Sequence, residues 1–297
     1  MRSISAPTLI DKITLIDKIG VILLGSILAI GFISMRYLAE FISPLETDFW
    51  REFITVVLLG IGIKVSGIKY TVSPADKKYF MAYGIVGLVL LFVLLTKASQ
   101  VVSGGKMSLL TSISPFVAIV FNHFLAKDDK MTIQKILGAI VGFWGVCIVL
   151  WESATMGVPN VLVIVALIMY VISSDTMRRC SHIHGLVFVY CSLMWGSIYL
   201  LVSTYVLGDG LYFEAYDTNI IIVLSVLGIF PTAIGLADCF ALINKVGYSF
   251  VSLTGHIIPI ADLIMGNIFL GESISPSILT AVGLILLGLW ISAYKKK

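Results

Sequence analysis

The chain has 297 residues, 59% hydrophobic and 12% charged, with a mean hydropathy of +1.04 and a formal net charge of +3. Soluble domains carry about 25% charged residues, so a water-soluble globule is excluded and an integral membrane protein is expected. The apolar runs are longer than strands and do not alternate with a period of two, which points to helices rather than a barrel; the composition implies no nucleic-acid partner.

A polar stretch with Arg2, Asp11, Lys12, Asp17 and Lys18 precedes the first apolar run, Ile19 to Leu38. That run is too long for a signal-peptide core and lacks a convincing cleavage site, so it reads as a retained span. Before it, TLIDKI occurs twice in succession, as a short interfacial helix or a chance duplication. Further spans are expected at 48–65, 79–97, 101–125 and 132–151, then at 158–176, 186–207, 219–241, 247–270 and 277–294. Each is close to the roughly 20 residues that cross a bilayer. The loops between them are short, so the chemistry belongs inside the membrane.

Of the 20 Lys and Arg residues, all but Arg36, Arg51, Lys97 and Lys106 fall on one side of this ten-span plot. The positive-inside rule then puts both termini in the cytoplasm, on a multi-pass protein of the inner (plasma) membrane. Five spans per half make the second half enter from the opposite side. The expected fold is therefore an all-α integral membrane protein, ten transmembrane helices as two five-helix inverted repeats, 19–151 and 157–294. Such repeats are typical of secondary transporters, whose solute site lies near the midplane between them.

The ninth span carries the most informative pattern. On a helix turning about 100° per residue, Ser249, Ser252, Gly255, His256, Pro259, Asp262, Gly266 and Asn267 share one arc of roughly 140°. Subtracting 144 maps Ser252 to Ser108, Pro259 to Pro115 and Gly228 to Gly84, so the fourth span repeats the small and polar face with Ser103, Ser108, Thr111 and Ser112. An ionisable group at mid-membrane costs a few kcal/mol and faces a cavity or a partner. The candidates for a solute path are His256, Asp262, Asp238, Ser252, Ser112, Thr111 and Ser108. Asp238 shares a stripe with Pro231 and Thr232 but lies near the inner end, where Lys245 is an alternative partner. His256 and Asp262 could instead form a hydrogen-bonded pair, and the serine and glycine rows could serve close helix packing. Pro115, Pro231 and Pro259 are candidate kinks, each freeing a carbonyl four residues earlier. The ninth span carries His256 and Asp262 where the fourth has Ser112 and Ala118, so charge recognition is expected in the C-terminal half.

The fourth and fifth spans of each half form a closing block. It reads SLLTSISPFVAIVFNHFLAKDDKMTIQKILGAIVGFWGV, with Pro115, Gly138 and Gly145, and SLTGHIIPIADLIMGNIFLGESISPSILTAVGLILLGLW, with Pro259, Gly271, Glu272 and Gly288. With ten spans in two halves, these blocks resemble the EamA-type branch of the drug/metabolite transporter (DMT) superfamily from Ile19 to Tyr294. Lys127 and Asp128 depart from the Gly-Glu that the family favours, and Ala281 or Val282 stands where a glycine would match Gly138. The resemblance implies a permease that moves an amino acid, an S-adenosylmethionine-like metabolite or an amphipathic compound by alternating access. The ionisable residues add that a cationic or zwitterionic solute is favoured, since Asp238, Asp262 and His256 hold at most one positive charge between them. Protons are a candidate coupling partner through His256.

The sequence also admits two other function classes. A membrane-integral enzyme would draw on His123 and Asp128, an H-x4-D pair, but Asp128 also matches Glu272 at a helix end. A non-transporting scaffold would leave the polar faces to packing. No cofactor is expected: GxxxxGK[ST] is missing, His182 and His184 with the lone Cys180 beside them are too few ligands for a four-coordinate metal site, and the four cysteines read as small hydrophobes. Arg36, Glu40, Arg51 and Lys97, at the outer ends of spans one to three, read as interfacial anchors or an outer salt-bridged gate. Lys106 reads as a snorkelling side chain.

Overall fold

The computed structural model describes residues 14–111, 133–152, 158–180, 182–208, 210–246 and 254–293. Among them the backbone forms no strand, and besides a short 3-10 turn at Phe213–Ala215 it is helical in the following stretches. In chain order they are α1 Leu15–Leu38, α2 Pro44–Val65, α3 Lys77–Ser99, α4 Gly104–Thr111 and α5 Ile133–Glu152, then α6 Val158–Arg179, α7 Gly185–Leu207, α8 218–246, α9 Thr254–Leu270 and α10 Pro276–Ala293. Four of these, α1, α3, α7 and the stretch Thr218–Cys239 of α8, are long and apolar enough by themselves to cross a bilayer.

Local chemistry sets the ends. Thr14 and Asp17 form a reciprocal capping box at the start of α1. Ser43 accepts from the Glu46 N–H and Pro44 occupies the first turn of α2, so this helix begins four residues before the span read from hydropathy. Asp217 caps α8 through the Ile220 N–H at 2.8 Å. Gly271, at φ +64°, lets the chain leave α9 with the Glu272 N–H returned to the Gly266 carbonyl at 3.1 Å.

The burial pattern differs from that of a water-soluble protein, with a largely apolar core, several buried polar and charged groups, and an apolar exterior. Buried polar side chains include Asp48, Arg51, Glu52, Thr55, Thr96, Ser99, Ser108 and Asp262, while Ile22, Leu23, Phe53, Val57, Ile61, Ile198, Val202 and Ile264 are exposed. In water such a surface would lose about 25 cal/mol for each Å² of apolar area left wet; in hydrocarbon it is at rest, which is the solvent these residues imply.

The helix contacts come in matched sets five helices apart. α3 packs on α7 and α8 on α2; α1 packs on α9 and α4 on α6; α2 meets α7, and α5 meets α10 along the most extensive seam. Glycines permit the closest approaches. A Cβ on Gly84 would stand 2.6 Å from the Ser192 carbonyl of α7, and one on Gly228 would stand 2.8 Å from Cβ of Ile54 on α2. In the α5–α10 seam a Cβ on Gly288 would meet the Gly138 carbonyl at 2.5 Å, the backbone contact that small residues allow between membrane helices.

Two helices contain a widened turn. Tyr83–Val89 of α3 and Gly228–Ile234 of α8 are π-helical. In α8 the cause is visible in the sequence. Pro231 has no N–H to offer the Leu227 carbonyl, and the Thr232 hydroxyl donates to that oxygen instead, at 2.9 Å. The Thr55 hydroxyl of α2 lies 3.1 Å from the Gly228 carbonyl in the same turn. Polar side chains thus satisfy the carbonyls that the kink exposes, as an apolar surround requires.

Candidate functional site

A cavity of about 340 Å³ lies in the middle of the bundle, at the lower end of the range of roughly 300–1,000 Å³ typical of small-molecule sites. Every helix except α5 and α10 contributes a described residue to its wall. Both π-helical turns are in that wall, through Tyr83, Gly87 and Leu88 on one side and Pro231 and Thr232 on the other. Widened turns of this kind recur at functional sites because they re-aim side chains and backbone. The lining is mostly apolar, with Leu28, Phe32, Leu91, Phe92 and Leu95, and its polar groups are Arg51, Tyr83, Ser108, Thr111 and Thr232.

Of the residues singled out from sequence, Ser108, Thr111 and Pro231 stand in the cavity wall. The Thr111 hydroxyl donates to the Ser108 carbonyl at 2.9 Å. Asp262 is fully buried on α9. It lies one layer behind the wall, with the Ser108 hydroxyl and the Glu272 carboxylate as its polar neighbours; neither of its oxygens closes a hydrogen bond of normal geometry. Pro259 is buried inside α9, and Asp238 is half-buried on α8 outside the described lining. His256 lies on α9, but its side chain is outside the described residues, as are Ser112, Pro115 and Ser252. The His123 and Asp128 pair is outside them too.

The structure gives Arg51 partners, Asp48 and Glu52, that sequence reasoning passed over. Arg51 is not an interfacial anchor: it is 1% exposed, with Asp48 and Glu52 at 0%. Its Nε donates to Asp48 Oδ1 at 3.0 Å, and the Thr96 hydroxyl of α3 donates to Asp48 Oδ2 at 3.0 Å. The guanidinium carbon sits 3.5 Å from the centroid of the Phe92 ring, a cation–π contact. Glu52 lies against Gly196 of α7, where a side chain would displace it. Its Oε1 is 3.5 Å from Arg51 Nη2, too far for a good hydrogen bond. The signal was available: Asp48, Arg51, Glu52, Thr55, Leu59 and Ile63 follow helical spacing and share the buried face. Arg36 and Glu40, by contrast, do form an exposed pair at 2.9 Å.

Next to this cluster, the segment between α7 and α8 is tied to α2. The Tyr216 hydroxyl donates to Glu46 Oε1, the Tyr212 N–H reaches the same oxygen at 2.8 Å, and Trp50 Nε1 donates to the Tyr216 hydroxyl at 2.7 Å. Burial and the Glu46 carboxylate hold the Tyr216 phenol above its ordinary pKa, so it stays a donor.

The sequence profile of the EamA-like transporter family matches this chain twice, over residues 18–151 and 158–294. An uncharacterized transporter of Archaeoglobus fulgidus is 26% identical over 268 residues, covering 90% of this chain and 95% of that protein. The uncharacterized transporter YoaV of Bacillus subtilis is 24% identical over 284 residues, covering 93% and 96%. A solved crystal structure superposes with a TM-score of 0.68 at 17% identity, covering 93% of this chain and 94% of the other, a likeness of fold. With a profile that matches it almost from end to end and a cavity enclosed by helices from both matched stretches, the chain belongs to the EamA-like transporter family of the DMT superfamily and is a multi-pass membrane transporter.

Proposed function

We propose that the protein is a secondary transporter that carries a small organic metabolite across the cytoplasmic membrane by alternating access, on ten spans arranged as two inverted five-helix repeats with both termini cytoplasmic. The observation that carries this reading is the central cavity, walled by α1–α4 and by α6–α9, with one π-helical turn from each set facing it. The matched helix contacts five elements apart support the repeat, because two halves that exchange roles need the same contacts in both directions.

The solute class is an amino acid, an S-adenosylmethionine-like metabolite or another amphipathic compound. An apolar wall with a few polar groups suits an apolar body with a polar end. Asp262 and Ser108 are the polar path residues on the α4–α9 side, with His256 and Asp238 completing the acidic and basic set; protons are the candidate coupling ion. Purified protein in proteoliposomes is expected to move labelled solute down an imposed gradient. A folded Asp262→Asn, His256→Ala double variant is expected to lose most of that flux, and undiminished flux would remove both residues from the path. Proteoliposomes with no flux of any member of the class would favour a scaffold instead.

A further inference from the structure

The buried charges on α2 do not balance. Asp48, Arg51 and Glu52 place two carboxylates and one guanidinium where each side chain is at most 1% exposed. If all three are ionised, one negative charge is left over in a surround that solvates it poorly. Asp48 is the settled partner, with both oxygens engaged by Arg51 and Thr96. Glu52 is the unsettled one, since neither of its oxygens closes a hydrogen bond, and Nη2 of Arg51 closes none either.

The two residues stand differently toward the cavity. Arg51 stands in the cavity wall, whereas Glu52 is enclosed between Arg51 and Gly196. A proton can reach Glu52 and a solute cannot. A solute carboxylate can approach Arg51 from the cavity side. The apolar body of such a solute would rest against Phe32, Leu91 and Leu95.

We infer that Arg51 is the docking point for a carboxylate of the transported solute, and that docking requires a proton on Glu52. This rests on the transport reading above. With Glu52 ionised, an incoming carboxylate would be the third anion on one guanidinium. With Glu52 protonated it is the second. One proton from solvent forms one O–H bond on Glu52, and no other covalent bond changes. The charged groups acting on Glu52 are Arg51 and Asp48 of its own helix. Helix α7 presents Gly196 to it, and α3 presents Phe92 and Thr96 to its two partners; none of these is ionisable.

The test titrates the purified chain in detergent with phenylacetate, its neutral isostere phenylacetamide, and L-phenylalanine, across about pH 5 to 10. At least one carboxylate probe is expected to bind about tenfold or more tightly than the amide, weakening about tenfold per pH unit on the alkaline side as one proton is lost. Whether phenylacetate or L-phenylalanine binds tighter tells an anionic solute from a zwitterionic one. Glu52→Gln is expected to bind the same probe with no pH slope. Arg51→Gln should bind it no better than the amide, and Arg51→Lys, which keeps the charge but loses the fork, should fall between. Amide binding as tight as the carboxylate, a pH slope that survives in Glu52→Gln, unchanged binding in Arg51→Lys, or no binding of any probe to the folded chain would each overturn the inference. If Arg51→Gln does not fold, the other two variants decide. Flux is scored separately: a probe that binds in this way but never crosses a proteoliposome refutes the transport reading and leaves the docking site standing, while flux indifferent to Arg51, Glu52 and pH does the reverse.

Discussion

Helices α2 and α7 meet across the centre of the bundle, and 144 residues separate Asp48, Arg51 and Glu52 from Ser192, Trp195 and Gly196. In α2 those positions hold a buried charge cluster. In α7 they hold a serine whose hydroxyl donates to its own helix at 2.8 Å, a tryptophan stacked on Tyr199, and the glycine that makes room for Glu52. The backbone scheme repeats and the chemistry does not. One helix supplies the charge and its mate supplies the space.

The largest expected effect tests that division directly. Arg51→Leu strands two carboxylates and should destabilise the folded chain by about 3–5 kcal/mol in a detergent unfolding titration. Trp195→Leu, at the matching place on α7, strands no charge and should cost less. Replacing Asp48, Arg51 and Glu52 together by leucine should recover most of the loss, because a well-packed apolar trio needs no counter-ions. If the triple variant were as unstable as Arg51→Leu, the cluster would be holding the helices together rather than serving the cavity.

Next come the two crossing glycines. Gly84→Ala and Gly228→Ala should each cost about 1–3 kcal/mol by overpacking. The first should cost more, because its methyl meets the Ser192 carbonyl of the backbone, whereas the second meets Ile54, whose side chain can shift. Equal costs would show that the two crossings are energetically alike. Tyr216→Phe removes one of the two donors on Glu46 and should cost about 1.5 kcal/mol, the worth of a hydrogen bond to a charged group. The smallest effect belongs to His182→Gln, which loosens an exposed contact of 3.4 Å to Asp76 and should stay within about 0.5 kcal/mol.

Much of this arrangement could be read from the chain because membrane helices advertise themselves. Where the residues are described, apolar runs located the helices to within about a turn, with 112–132 and 247–253 of the expected spans outside the described residues, and the polar arc of the ninth span marked Asp262, which is fully buried. The α2 cluster was missed for a physical reason. A hydropathy window discounts Pro44 to Thr47, so it starts the span at Asp48 and leaves Arg51 beside a membrane edge. The Ser43 cap and Pro44 in fact extend the helix outward by a turn and carry Arg51 inside. Its partners Thr96 and Phe92 lie on another helix, a tertiary fact that no local pattern encodes. The π turn of α3 was equally hidden, and Pro231 marked a kink in α8 without its widened form. A wheel drawn on a regular α8 aligns Asp238 with Pro231 and Thr232, but a π-helical turn shifts that phase, and Leu236 is the residue of the next turn in the described lining.

The crossing of α3 onto α7 and of α8 onto α2 has a consequence for the chain as an object. Its two matched stretches are consecutive in sequence and interlocked in space. A cut between α5 and α6 would yield two fragments, each holding a glycine shaped for a surface on the other and neither holding a whole cavity. Made together they could reassemble, as the halves of a clasp do; made apart, each would expose to lipid the notch meant for its mate.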